Sequence, residues 1–216
     1  MRELKQHLST RVTREVELDY LLYLPKEREE SPGGVLPLLL FLHGSGERGN
    51  DLTLVKTHGP PHVVETGMEL PLVVLAPQCP ADSSWHADSL MALVDHTIEH
   101  HDIDTKRVYV TGLSMGGYGT WILAGEYPER FAAISTVCAP YASLDPVRLR
   151  HTPVWCFHGA MDDVVPVEHA IHMVRRIRDA GGDVRFTVYP DAGHDSWTQT
   201  YGQTALYEWF LTHSRP

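Results

Sequence analysis

The chain has 216 residues, 43% of them hydrophobic, enough for one well-buried core and too few for two ordinary domains, so a single domain over residues 1–216 is expected. A formal net charge of -10, with Lys and Arg mostly scattered, argues against nucleic-acid or anionic-membrane partners, which require clustered cations. There is no run of about 18 apolar residues, and residues 1–10 lack the apolar stretch of a signal peptide, so a cytoplasmic protein without membrane insertion is expected.

In chain order, residues 16–24 (VELDYLLYL) read as a partly alternating strand, and residues 26–34 as a charged loop. Residues 36–42 and 72–76 are short continuous apolar runs, the pattern of strands buried on both faces. A weak helix is expected over 61–65 and a stronger one over 89–101. Strands follow at 108–111, 132–138, 154–158 and 184–189, with helices at 117–127, 167–180 and 204–213. The 167–180 helix opens after Pro166 and closes at Gly181-Gly182; Ala170, Ile171, Val174 and Ile177 form its expected apolar face, which leaves Arg175, Arg176 and Arg178 on the solvated side. Alternating strands and helices imply an α/β fold, a mainly parallel sheet with helices on both faces.

The most specific motif is Gly112-Leu-Ser114-Met-Gly116, a G-x-S-x-G between a strand and a helix. Such a serine sits on a sharp turn, and side chains two residues to either side would collide, which explains the glycines. A serine hydroxyl attacks a carbonyl only when a neutral imidazole takes its proton and a carboxylate orients that imidazole. Two loops beyond later strands supply these groups. One carries Asp162 and Asp163, the other His194, and either aspartate satisfies the order of elements.

Other motifs are weaker. Gly44-Ser-Gly46-Glu-Arg-Gly49 fits a dinucleotide-binding G-x-G-x-x-G, but residues 50–61 are polar and end in Pro-Pro rather than opening an amphipathic helix. His96, His100 and His101 have helical spacing but lack the H-E-x-x-H order, and read with His169 and His172 as helix-face residues. Neither a cofactor nor a metal is expected. Cys79, Cys138 and Cys156 do not make a disulfide framework and are expected to be buried and inert.

Together, Phe41-Leu-His43-Gly-Ser-Gly-Glu-Arg-Gly49, the elbow at Ser114, the His158-Gly-x-x-Asp162-x-x-Val-Pro166 loop and Gly193-His194-Asp195 resemble the α/β-hydrolase superfamily. The closest likeness is to the small phospholipase/carboxylesterase group and the bacterial esterases called predicted peptidases. The resemblance implies Ser114 as nucleophile, His194 as general base and acid, and Asp162, rather than Asp163, as orienting carboxylate because of its spacing to Val165-Pro166. One oxyanion donor is the amide after the nucleophile, on Met115, and the family's His-Gly-x pattern places the second on Ser45. His43 would brace that loop.

Acyl transfer to water through an acyl-enzyme covers esters, thioesters and some amides. The short connections, of which 139–152 is the longest after the elbow, suggest an open site without a sizeable lid, taking small or medium carboxylic esters as small-molecule substrates. Peptide hydrolysis is less expected, because peptidases of this fold generally add a gating domain. Gln78, Trp85 and Trp197 are candidates to line the pocket, and an aromatic lining would suit aryl esters. A non-catalytic ligand-binding protein on the same scaffold is the alternative of another class, although such proteins usually lose a member of the serine, histidine and aspartate set.

Overall fold

Strand residues alternate between the two faces of a sheet, and an unbroken apolar run therefore needs cover on both sides. In β2 (Leu36–Leu42), Leu38, Leu40 and Leu42 enter one core while Leu39 and Phe41 enter another. All five are fully buried, each side chain contributing about 1.5–3 kcal/mol by leaving water. The computed structural model describes residues 3–10, 13, 15–26 and 34–216, so the charged loop expected over 26–34 lies largely outside them.

Beside β2, the strands are β1 (Tyr20–Tyr23), β3 (Val73–Pro77), β4 (Ile103–Leu113), β5 (Ala133–Val137), β6 (Val154–Gly159) and β7 (Val184–Tyr189). The helices are α1 (Gly59–Glu65), α2 (Ala87–His100), α3 (Met115–Glu126), α4 (Glu168–Asp179), α5 (Trp197–Tyr201) and α6 (Thr204–Leu211). The strands form one sheet in the order β1-β3-β2-β4-β5-β6-β7. Only β1 runs antiparallel to its neighbour.

Helices α2, α3 and α4 cover one face through Leu90, Val94, Trp121, Leu123, Met173 and Ile177. The other face is covered by α1, α5 and α6 through Val63, Tyr201, Leu206, Tyr207 and Phe210. Parallel strands end at one edge of the sheet, so the loops after β2, β4, β6 and β7 meet there. An open α/β sheet keeps its ligands at that edge.

Four local expectations are corrected. β1 spans four residues rather than 16–24, because its partner among the described residues, β3, has just five residues to offer: Tyr20 pairs with Pro77 and Tyr23 with Val74. β4 starts at Ile103 rather than 108; Ile103 pairs with Leu36 ahead of a register shift, and the polar residues between them hide the strand from an apolar reading. On α4, Ile171 is 42% exposed and Met173 takes its place in the core. α5 had no expected counterpart, being a single short turn of mostly polar sequence. The end of α4 follows its sequence signal closely: Gly181 has φ +81°, and the Gly181 and Gly182 amides bond back to the carbonyls of Arg178 and Ile177, a Schellman cap.

Candidate active site

β4 ends at Leu113 and α3 begins at Met115, so the direction of the chain reverses on Ser114 alone. Its backbone takes φ 51° and ψ -117°, a region that L residues rarely occupy. Contacts on each side hold it there. A Cβ on Gly112 would lie 2.3 Å from the Gly116 carbonyl oxygen, and one on Gly116 only 1.9 Å from that of Leu42. The Ser114 amide is tied to the end of β5 by a 2.9 Å bond to the Val137 carbonyl.

The Ser114 hydroxyl stands 3.0 Å from His194 Nε2, and His194 Nδ1 stands 2.8 Å from Asp162 Oδ2. Asp162 is buried, and its other oxygen, Oδ1, accepts from the amides of Val164 and Val165 at 3.0 and 2.8 Å. Oδ2 has a second neighbour, His158 Nε2, at 3.2 Å. That nitrogen also donates to the Val165 carbonyl at 2.7 Å, so His158 bridges both ends of the acid loop. Burial lowers the pKa of His158, keeping the ring neutral and its N–H available to donate. Asp163 is exposed.

Ser45 opens a 3-10 turn after β2, and Met115 opens α3. The amides at a helix start lack intrahelical partners; Met115 follows Ser114 directly, and the Ser45 loop approaches it at Gly44, where a Cβ would lie 3.8 Å from Ser114 Cβ. The Ser45 loop is braced from several directions. The His43 Nδ1–H donates to the Gly44 carbonyl at 2.6 Å, and Nε2 accepts from the Cys79 amide at 3.0 Å, which sets the tautomer. Arg48 Nε donates to the Ser45 carbonyl at 3.0 Å, which turns that peptide. The arrangement sets a hydroxyl, an imidazole and a buried carboxylate in one hydrogen-bonded row.

Residues 71–207 match the sequence profile of the phospholipase/carboxylesterase family. The chain belongs to that family. A thermostable esterase of known structure is 36% identical with a TM-score of 0.78, over 93% of this chain and 60% of that one. A poly(3-hydroxyoctanoate) depolymerase from Pseudomonas fluorescens is 24% identical over 212 residues, 84% of this chain and 76% of that one. A ferulic acid esterase structure, 19% identical over 89% of this chain and 90% of that one, has a TM-score of 0.68 and shows the fold alone. The chain spans only 53% of a Yersinia pestis relative to which it is 29% identical over 142 residues. The fold is that of the α/β-hydrolases. Among the described residues the connection from β5 to β6 holds one 3-10 turn, Pro146–Leu149, and no lid. No helix among them is long and apolar enough to cross a membrane.

Of the three pocket candidates in this phospholipase/carboxylesterase chain, two are tied into the Ser45 loop. Gln78 is buried, and its Nε2 donates to the carbonyls of Glu47 and Asp51, both at 2.9 Å. Trp85 is also buried, donates from Nε1 to the His43 carbonyl at 3.1 Å, and packs on the His43 ring. Both brace the Ser45 loop, and Trp85 also lines, with Cys79, Ser83 and Leu90, a cavity that Ser114 and His194 do not line. Trp197 does reach the site: its ring meets His194 edge-on with centroids 5.3 Å apart.

The sequence assigned no role of their own to Glu47, His58 and His158. The G-x-G-x-x-G stretch was itself a signal for Glu47, because a charged residue between glycines in a tight loop has to be placed somewhere. Nothing in the sequence pairs Glu47 with His58, whose Nε2 lies 3.8 Å from Glu47 Oε1.

Proposed function

We propose that this chain is a carboxylesterase-type serine hydrolase that cleaves small or medium carboxylic esters through an acyl-enzyme. The observation that carries the reading is the unbroken relay from Ser114 Oγ to His194 Nε2 at 3.0 Å and from His194 Nδ1 to Asp162 Oδ2 at 2.8 Å. Ser114 Oγ attacks the ester carbonyl carbon and its proton passes to His194 Nε2, while Asp162 holds the ring with Nδ1–H inward. The developing oxyanion accepts from the Ser45 and Met115 amides. Collapse expels the alcohol, which takes the proton from His194. Water then attacks the acyl-serine by the same route in reverse roles, releasing the carboxylic acid and the free serine.

Membership of the family and the 36% identical esterase support ester chemistry. Half-burial of Ser114 and the short connection after β5 support an open site for modest substrates. Packing of all six helices on one sheet supports reading the chain as a single domain. The test is covalent labelling by a fluorophosphonate, read by intact mass in the parent and in Ser114→Ala. One adduct per chain that disappears in the variant is expected; an unlabelled, folded parent would overturn the proposal.

A further inference from the structure

We propose that Glu47, His58 and Trp197 form the subsite for the leaving alcohol and favour alcohols that carry further hydroxyl groups, as polyols and sugars do. The inference rests on the reading of Ser114 as nucleophile and adds to it the class of alcohol.

The leaving oxygen takes its proton from His194 Nε2, so the alcohol departs alongside the His194 ring. The next ring on that side is Trp197, and beyond it His58, with centroids 5.2 Å from those of Trp197. His58 in turn faces Glu47. Glu47 returns to the nucleophile across Gly44: a methyl group on that glycine would lie 3.2 Å from Glu47 Oε2 and 3.8 Å from Ser114 Cβ. These residues thus form a chain of contacts from His194 back to the loop beside Ser114.

Glu47 is unusual for a carboxylate. It is 8% exposed, and its Oε2 is buried without a hydrogen-bond partner. That oxygen faces His43 Nδ1 at 3.8 Å, which leaves Oε1, the oxygen turned to His58, to receive a donor from outside the protein. Its Oε1 and His58 Nε2 are 3.8 Å apart, too far for a hydrogen bond between them. One oxygen fits between at about 2.8 Å from each, donating to the carboxylate and accepting from the imidazole N–H. A hydroxyl does both. With the His58 proton on Nε2, an ammonium group has no lone pair to accept with, and an alkyl group would leave Oε1 without a donor. Trp197 supplies a flat apolar face of the kind on which C–H-rich sugar and polyol faces rest. His58 and Trp197 also line, with His62 and Tyr201, a small cavity of about 60 Å³.

The test compares glycerol 1-acetate with propyl acetate, which share the acyl group and a three-carbon alcohol, each kcat/KM being divided by the ester's alkaline hydrolysis rate. The parent is expected to favour the glycerol ester by about tenfold or more, the scale of a hydrogen bond to a charged group. Glu47→Leu and His58→Phe should each lower that ratio by about fivefold or more; the second, at a partly exposed position, reads the subsite even if the first fails to fold. A parent ratio within about twofold of one, or a folded variant that keeps the full preference, overturns the proposal. So does acetylcholine if it loses more than the glycerol ester in Glu47→Leu, which would mark a cation site. Fluorophosphonate labelling of the same samples separates the two readings: a labelled parent without hydroxyl preference loses the subsite alone, whereas no label and no turnover overturns both.

Discussion

His43 Nε2 accepts a hydrogen bond from the Cys79 amide at 3.0 Å, so the nitrogen that would take a proton in acid is already occupied. Burial is the larger reason that His43 resists protonation, its pKa being lowered from 6.5 to about 4. His158 is shifted in the same direction by the same cause. Once unfolded, both rings titrate normally. Between pH 6.5 and about 4 the unfolded chain therefore binds more protons than the folded one, and acid destabilises the fold. His43 alone contributes up to about 1.4 kcal/mol per pH unit in that window. Urea midpoints should be level above pH 7 and fall steeply from 6.5 towards 4. His43→Gln should be less stable at pH 7 but lose stability less steeply in acid; an equal slope would refute the assignment.

A buried and an exposed glycine should respond very differently to an added methyl group. A Cβ on Gly116 would stand 1.9 Å from the Leu42 carbonyl oxygen, which is backbone inside the sheet and has nowhere to move, whereas one on Gly46 meets nothing within 4 Å. Gly116→Ala should cost several kcal/mol and yield little folded protein. Gly46→Ala should change the urea midpoint by less than about 0.5 kcal/mol in equivalent stability. Comparable stabilities would mean that the elbow is looser than its geometry indicates.

The contrast between what sequence does and does not disclose follows from the range of the interactions. The run at Leu36–Leu42 announces a strand because its cover on both faces is written in its own residues. The elbow at Ser114 is legible because its constraints span five residues. The purposes of Gln78 and Trp85 are set by partners 31 and 42 positions away, and no local pattern encodes them. The start of β4 was hidden because Asp104, Lys106 and Arg107 are polar; Asp104 instead pairs with Arg107 along the strand at 2.7 Å. On α4 the helical period admits both Ile171 and Met173, and only the packing of the sheet decides between them.

Backbone strain at Ser114 gives a prediction separable from activity. With φ 51° and ψ -117°, Ser114 occupies a conformation costing about 1–3 kcal/mol for any residue with a Cβ, and glycine is largely free of that cost. Ser114→Gly and Ser114→Ala should both be inactive, yet the glycine variant should be more stable by about 1 kcal/mol after its greater unfolded-state entropy is allowed for. Urea denaturation of the two side by side decides it. If alanine proves the more stable, the turn is not strained in solution.

The two neighbouring aspartates make the last comparison. Asp162 is buried, accepts from two backbone amides through Oδ1, and meets His194 Nδ1 and His158 Nε2 through Oδ2; Asp163 is exposed. In Asp162→Asn the amide oxygen can still serve the Val164 and Val165 amides, so the acid loop should keep its shape. The amide nitrogen then faces two imidazoles, and it donates to His194 Nδ1 instead of accepting from it. That leaves the proton on Nε2, the nitrogen that must be free to receive the serine's proton. Loss of the correct tautomer in serine hydrolases costs about 10⁴ in kcat. Asp162→Asn should therefore lose activity on that scale while its circular dichroism matches the parent, and Asp163→Asn should remain within about twofold, as expected for an exposed side chain away from the relay. Similar activity losses in the two variants would remove Asp162 from its proposed role, because only one of them can hold the imidazole.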